Sequence, residues 1–454
     1  MTTATWLEHA QRAFVELIPE HLERLSWPAS RLVAHQREQL RGLLGHAAAH
    51  SLFHRDRLAG IDPHTFELDD LGHLPVMTKA EMMERFDEVC TDRRLTRAAV
   101  DAHVRRLGED LELLDGDYVI LASGGSSGRR GLFVRHHTEL PDYLAAVLRS
   151  GMADVAGAFG WPPPFRLAVT VVAAPTAVHA TRASAPLSGG VGDVTFVPVT
   201  LPFEEITARV EASQPMLLAG YTSVVARLGD AAAAGALRVD PQAIVVTSEQ
   251  LTPSLRSRIE LGFGKEPANS FASSEGVVGS APPGDDVVTF ASDAAIIEFV
   301  DAHDQLVPDG TRADHLLVTV LNNRTQPLIR YRMDDAMTPM PPDEHHGHRR
   351  ALVEGRNDDP LRFGDVEIHP VVLSNALLGN DAVQEFQAHC GDGTLSVALV
   401  ASTPVDEQTL AQELTDRLAA VGALVRVTAR RVDALQRDPL TGKAPRVILD
   451  TQPS

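Results

Sequence analysis

Six consecutive residues, Ser123, Gly124, Gly125, Ser126, Ser127 and Gly128, are all glycine or serine, and Arg129 and Arg130 follow them in the stretch LASGGSSGRRG. Such a run leaves backbone N–H groups free to converge on one acceptor, and its hydroxyls add donors, so the chemistry it offers is anion binding. Phosphate oxygens meet that demand. A nucleoside-triphosphate loop of the form G-x-x-x-x-G-K-[ST] is excluded, because no Lys-Ser or Lys-Thr follows the glycines. A dinucleotide loop is excluded too, since neither the G-x-G-x-x-G spacing nor a helix-opening continuation is present in GLFVRHH. On its own the run also fits a flexible hairpin loop. Two other groups of potential ligands are less suggestive. His345, His346 and His348 in EHHGHRR read as a solvated loop, and Cys90 and Cys390 lie too far apart to form a disulfide framework or a metal-spaced pair.

The loop resembles the phosphate-binding loop of adenylate-forming enzymes, the superfamily of acyl-CoA synthetases, luciferases and peptide-synthetase adenylation domains. In the phenylacetate-CoA ligase branch that loop runs S-S-G-T-T-G-K-P, and SGGSSGRR stands in its place. Further segments resembling that branch follow in the same order along the chain. VVTSEQL resembles the segment beside the adenine and makes Ser248, Glu249 and Gln250 candidate nucleotide contacts. NSFASSEG adds Asn269, Phe271, Ala272, Ser273 and Ser274 around the adenine and phosphates, with Glu275 as the Mg²⁺ ligand. QPLIRYRMDDA is similar to P-V-I-R-Y-R-T-R-D-L, which implies that Asp335 takes the ribose hydroxyls and that Arg330 is catalytic, with Arg332 beside it. EGRNDDPLRFGDVEIHP resembles the G-R-x-D-D-x-L handover between domains, which makes Arg356 a nucleotide contact and Asp358 the hinge. RDPLTGKAPRVILD resembles the C-terminal segment whose lysine, here Lys443, reaches the reacting carboxylate and the α-phosphate.

The resemblance implies an ATP-dependent carboxylic acid ligase that forms an acyl or aryl adenylate, releases pyrophosphate and transfers the acyl group to coenzyme A. Transfer to a carrier-protein thiol or an amine is the alternative, and a nucleotide-binding homologue without chemistry is a third reading. ATP and Mg²⁺ are the implied cofactors. Lys443 acts in this scheme as a cation, because a neutral amine offers no field to the charge that develops between two anions. The resemblance also implies that the small domain rotates between the half-reactions, with Asp358 as the pivot. The acyl pocket is expected between the helix after the loop and LLAGYTS, with Tyr143, Gly220 and Tyr221. The chain departs from the branch where Arg129 and Arg130 replace lysine and proline, which keeps charge but substitutes a planar fork for a compact ammonium. It also lacks the cysteines of the metal site that some members carry.

These groups need a scaffold of two cores. The 454 residues are 44% hydrophobic and 22% charged, a globular balance, and allow a large domain with a smaller one. A net charge of -20 disfavours nucleic-acid partners, and no apolar run is long enough to span a membrane. No export signal is visible at the first residues, so the cytoplasm is expected. The oligomeric state is not encoded in any visible pattern.

The N-terminal segment reads as helices, with Leu32, Leu40, Leu43, Leu44 and Ala47 on one face, and Thr78 is expected to cap a helix with Glu81 three residues on. DYVILAS reads as a strand entering the loop. FRLAVTVVAA, DVTFVPV, PMLLAGY and QAIVVTSE read as strands alternating with helices, hence an α/β fold with layered, buried sheets. AAIIEFVDA and DHLLVTVLN suggest a β-rich subregion. The polar, proline-bearing segment from Met340 to Pro360 marks the boundary between a large domain, 1–353, and a small mobile α+β domain, 354–454, with a hinge near 355–359.

Overall fold

A computed structural model describes residues 3–123, 131–356, 361–363, 366–368, 373, 377, 382–391, 393–401, 403–420, 423–437 and 447–449. The frame of the larger part is a nine-stranded mixed sheet. Five of its strands run parallel in the order Ala268–Ala272, Ala243–Thr247, Leu217–Tyr221, Leu167–Ala173 and Gly192–Pro198. The strand LAVTVVA, beside the edge strand Gly192–Pro198, is buried along almost its whole length, as expected where helices cover both faces of a parallel sheet. Four antiparallel strands, Val278–Ala281, Val287–Phe290, Arg350–Arg356 and Asp335–Met340, extend the sheet past Ala268–Ala272. Sheet polarity therefore changes at Ala268–Ala272.

The expected β-rich subregion is a three-stranded antiparallel sheet of Ala295–Val300, His315–Val320 and Tyr331–Met333. Helix Ala29–His50 lies on it through a separate cluster in which Leu40, Leu43, Leu44 and Ala47 meet Ile296, Leu321 and Ile329. The predicted apolar face of this helix is its buried face. Thr78 Oγ1 accepts the N–H of Glu81 at 3.2 Å, capping Lys79–Glu84 as its sequence demands. The first helix, Thr3–Arg24, packs along Leu140–Phe159, and Arg24 and Arg149 both ion-pair with the buried Asp293 at 3.2 and 2.8 Å.

The polar segment expected to be a boundary is not a linker throughout. Its residues Arg350–Arg356 form a strand inside the large sheet, and His348 is buried, its Nε2 2.8 Å from the carbonyl of Arg24 and its Nδ1 accepting the N–H of Ser292. A second hydrophobic core uses residues from Phe363 onward. Around it stand a four-stranded sheet, Arg426–Arg431, Thr394–Ala401, Val383–Gly391 and Val447–Leu449, and helix Glu407–Ala420. Thr394–Ala401 alternates exposed and buried residues, the signature of a sheet covered on one face.

Candidate active site

In an open sheet with parallel strands, ligands bind beyond the carboxyl ends of those strands, where connections leave a crevice. Three of the predicted motifs stand at that edge. Tyr221, Thr247 and Ala272 end neighbouring strands, so LLAGYTS, VVTSEQL and NSFASSEG open side by side, and Thr247 Oγ1 donates to Ser270 O at 2.8 Å between two of them.

The last of these segments closes into a tight turn. Ser273 N–H donates to Val277 O at 3.0 Å, and Ser273 Oγ accepts from the N–H groups of Gly276 and Val277 at 3.3 and 3.1 Å. Ser274 Oγ donates to Ala122 O at 3.2 Å, joining the turn to a strand 152 residues earlier. That strand, Tyr118–Ala122, pairs antiparallel with Leu132–His136, and the hairpin is closed by Ser123 N–H to Gly131 O and Gly131 N–H to Ser123 Oγ, both 3.0 Å. The glycine–serine run thus leaves a hairpin directly beside the turn bearing Glu275; Gly124, Gly125, Ser126, Ser127, Gly128 and Arg129 lie outside the described residues. Glu275 is 5% exposed, yet no described residue hydrogen-bonds or ion-pairs with its carboxylate. Such a carboxylate suits a hard cation that takes one or two protein oxygens together with phosphate oxygens.

Beneath the turn lies a residue the motifs did not indicate. Arg135 is fully buried. Its Nη2 donates to Glu275 O at 3.5 Å, its Nη1 reaches Asn322 O and Oδ1 at 3.4 Å, and its guanidinium stands 4.7 Å over the Tyr143 ring. Burial pulls its pKa below the usual arginine value, against the opposing charges of Glu139 and Asp142. Gly276, with φ at +120°, completes the fit, because a Cβ there would lie 2.3 Å from Arg135 Nη2. An arginine within an otherwise apolar strand, GLFVRHH, is the only signal in the sequence for this arrangement.

At the antiparallel edge of the sheet, Asp335 stands directly opposite Arg356 across a strand pair, bringing the backbones of two predicted nucleotide contacts together. Phe271 is half-buried, its ring edge-on to Phe290 at 5.6 Å, and Asn269 and Ala272 are half-buried on the same strand.

No family model matches the chain. Over 219 residues it is 28% identical to a phenylacetate-coenzyme A ligase from Aromatoleum evansii, a match covering 44% of this chain and 49% of that protein. The chain thus spans about half the length of the curated relative it matches. The crystal structure of 2-hydroxyisobutyryl-CoA ligase in the postadenylation state with R3-HIB-AMP superposes with a TM-score of 0.68 at 18% identity, covering 94% of this chain and 91% of that one. The chain has the fold of the adenylate-forming ligases. A benzoate CoA ligase from Burkholderia xenovorans LB400 shares it at a TM-score of 0.51 and 20% identity, over 73% of this chain and 68% of that one.

Within the adenylate-forming fold several expected roles change. Arg330 is not available at the crevice. It sits at φ +49°, 6% exposed, with Nε and Nη2 on the Glu298 carboxylate at 3.0–3.2 Å and Nη1 on the carbonyls of Leu74 and Gly72 at 2.7 and 3.3 Å. Burial outweighs Arg330 and raises the Glu298 carboxyl above its usual range. The donors of Arg330 are thus engaged by Glu298 and by the 72–74 segment, which it ties together. Glu249 is likewise committed: its Oε2 accepts Ser223 N–H at 2.7 Å and its carbonyl accepts Thr222 Oγ1, capping helix Thr222–Ala233. Ser248, exposed at φ +68°, and half-buried Gln250 remain open to a ligand. Strained backbone of this kind collects at ligand sites.

The expected pocket residues Tyr143, Gly220 and Tyr221 are buried and closely packed. Tyr143 donates to Ser273 O at 3.1 Å, and burial pushes its phenol up to about 12. Tyr221 is buried and its hydroxyl accepts the N–H of Ala174. Gly220 has no room for a side chain, since a Cβ would meet Val172 O at 2.7 Å. Arg332 pairs with Asp334 at 2.9 Å. Lys443 and Asp358 lie outside the described residues, and of Arg356 only the backbone is described.

Proposed function

We propose that this chain is an ATP-dependent carboxylic acid ligase that makes an acyl or aryl adenylate and passes it to the thiol of coenzyme A. One observation carries the reading: the Ser274–Ala122 bond sets the unpartnered Glu275 carboxylate beside the root of the glycine–serine hairpin. A phosphate-binding run and a cation ligand are thereby joined at the carboxyl edge of a parallel sheet. Mg²⁺ bound there supplies neutralisation of a phosphate leaving group. Amides and hydroxyls from Ser123 to Gly128, with Arg129, hold the phosphates, Ser248, Gln250 and Phe271 flank the adenine, and Asp335 takes the ribose. Lys443 bridges the attacking carboxylate and the α-phosphate. The strand Arg350–Arg356 belongs to the large sheet, which supports a division just after residue 356 in place of the one expected at 353, and Asp358 is the pivot that withdraws Lys443 before thiol transfer; the separate core from Phe363 onward supports a unit able to move. Both cysteines are buried and neither is in a disulfide, which fits the reducing cytoplasm.

ATP–pyrophosphate exchange across a panel of carboxylic acids, with and without coenzyme A, tests this reading. Exchange with some acid, and consumption of coenzyme A with that same acid, is the expected result. Exchange without thioester formation reassigns the acceptor to a carrier-protein thiol or an amine. No exchange across a broad panel leaves a nucleotide-binding homologue without chemistry.

A further inference from the structure

The opposite end of the same hairpin gathers three metal-ligating side chains. Tyr118 pairs with His136, and the N–H of His137 donates to Asp117 O at 2.8 Å, so the residue entering the first strand and the two at the end of the second lie side by side. One ligand atom from each of Asp117, His136 and His137 lies within 4.8 Å of the other two, and all three residues are half-buried. We propose that Asp117, His136 and His137 form a binding site for a divalent transition ion of the Zn²⁺ class.

The donor set is two imidazole nitrogens and a carboxylate oxygen, which suits a borderline ion, with water completing the shell. Ligands of tetrahedral zinc stand roughly 3.3 Å apart, given metal–nitrogen bonds of about 2.0 Å, so side-chain rotations of about 1 Å close the set without moving the backbone. His136 Nδ1 lies 2.7 Å from Thr138 Oγ1 and 3.4 Å from the Thr138 N–H; with an ion on Nε2 the ring proton moves to Nδ1 and donates to Thr138 Oγ1, an outer contact that orients the ligating imidazole. The plainer reading is a polar turn in which Arg94 neutralises Asp117 at 3.0 Å. Arg94 does not depend on that contact. It is anchored by Asp92 at 2.9 Å and Tyr118 at 3.0 Å, and it takes only Oδ2 of Asp117.

His136 lines a cavity of about 580 Å³ together with His46, His50 and Glu139, which gives an ion and its waters a way in. The site is structural. Five strand residues at about 3.3 Å each separate it from the glycine–serine run by about 16 Å. A bound ion would staple the open end of the hairpin whose other end presents that run.

Titration of the full chain with ZnCl₂ against a chromophoric chelator tests the proposal, in a His345→Gln/His346→Gln background that removes the competing histidine run. One ion per chain is expected, with affinity falling at least tenfold in His137→Gln and in Asp117→Asn, and about tenfold in Thr138→Val. Melting curves in EDTA that match the parent show that the variants fold. Absence of stoichiometric zinc, or an affinity in His137→Gln or Asp117→Asn unchanged from the parent, overturns it. Neither result depends on whether the ligase reading holds.

Discussion

Replacing Gly276 with alanine probes whether the Glu275 turn is built around Arg135. At φ +120° an L side chain is strained, at about 1–3 kcal/mol. The added Cβ would also lie 2.3 Å from Arg135 Nη2 and 2.9 Å from Val320 Cγ1. Arg135 is fully buried and cannot withdraw into solvent, so relief displaces a buried donor from Glu275 O and Asn322, at about 1–3 kcal/mol more. The total is about 2–6 kcal/mol. Gly310 supplies the control: its φ is +82° and nothing lies within 4 Å of a Cβ there, so alanine should cost only about 1 kcal/mol. Equilibrium urea unfolding should separate the two variants by about 1–5 kcal/mol, and thermal melting by about 1–5 °C. Gly276→Ala within 0.5 kcal/mol of Gly310→Ala would refute the idea that Arg135 is wedged under the turn. If the ligase reading holds, Gly276→Ala should also raise the Mg²⁺ concentration needed for half-maximal exchange.

Glu275→Gln should lower pyrophosphate exchange by about 10²-fold and increase its Mg²⁺ requirement while leaving the melting temperature within a degree, because no described residue relies on that carboxylate; a large loss of stability would contradict this. Lys443→Ala should reduce adenylation by about 10²–10³-fold yet still convert a supplied acyl adenylate to thioester, whereas equal loss of both steps would remove the assigned role. Arg330→Met should destabilise by about 3–5 kcal/mol through the stranded Glu298, and Arg330→Met/Glu298→Leu should recover most of it in urea unfolding; no recovery would mean the pair is not the cause. Acid sensitivity has a defined window. Burial lowers His54 and His348 from 6.5 to about 4, so the unfolded chain binds more protons between those values, and the stability present above pH 6.5 falls as pH drops toward 4. For His54 the loss is about 3 kcal/mol, and His54→Gln, which keeps a donor for Pro327 O, should flatten the slope of stability against pH in that range; an unchanged slope would rule His54 out.

The sequence by itself determined what is decided within a few residues. The apolar face of Ala29–His50, the Thr78 cap, the strand that enters the glycine–serine run and the strand–helix–strand of the C-terminal part follow from side-chain spacing along one element. Motif order along the chain also announced the fold. Which motif residues are free for chemistry was settled only by tertiary contacts. Arg330 looks the same in sequence whether it faces a nucleotide or Glu298, and the choice was made by the pairing of strands that brought position 298 beside it. Glu249 became a helix cap because two parallel strands end side by side, and Arg135 came to lie under Glu275 because a hairpin crosses the turn 140 residues further on. Hydrogen bonds and ion pairs form between neighbours in space, and for residues this far apart the neighbour exists only after the sheets have assembled.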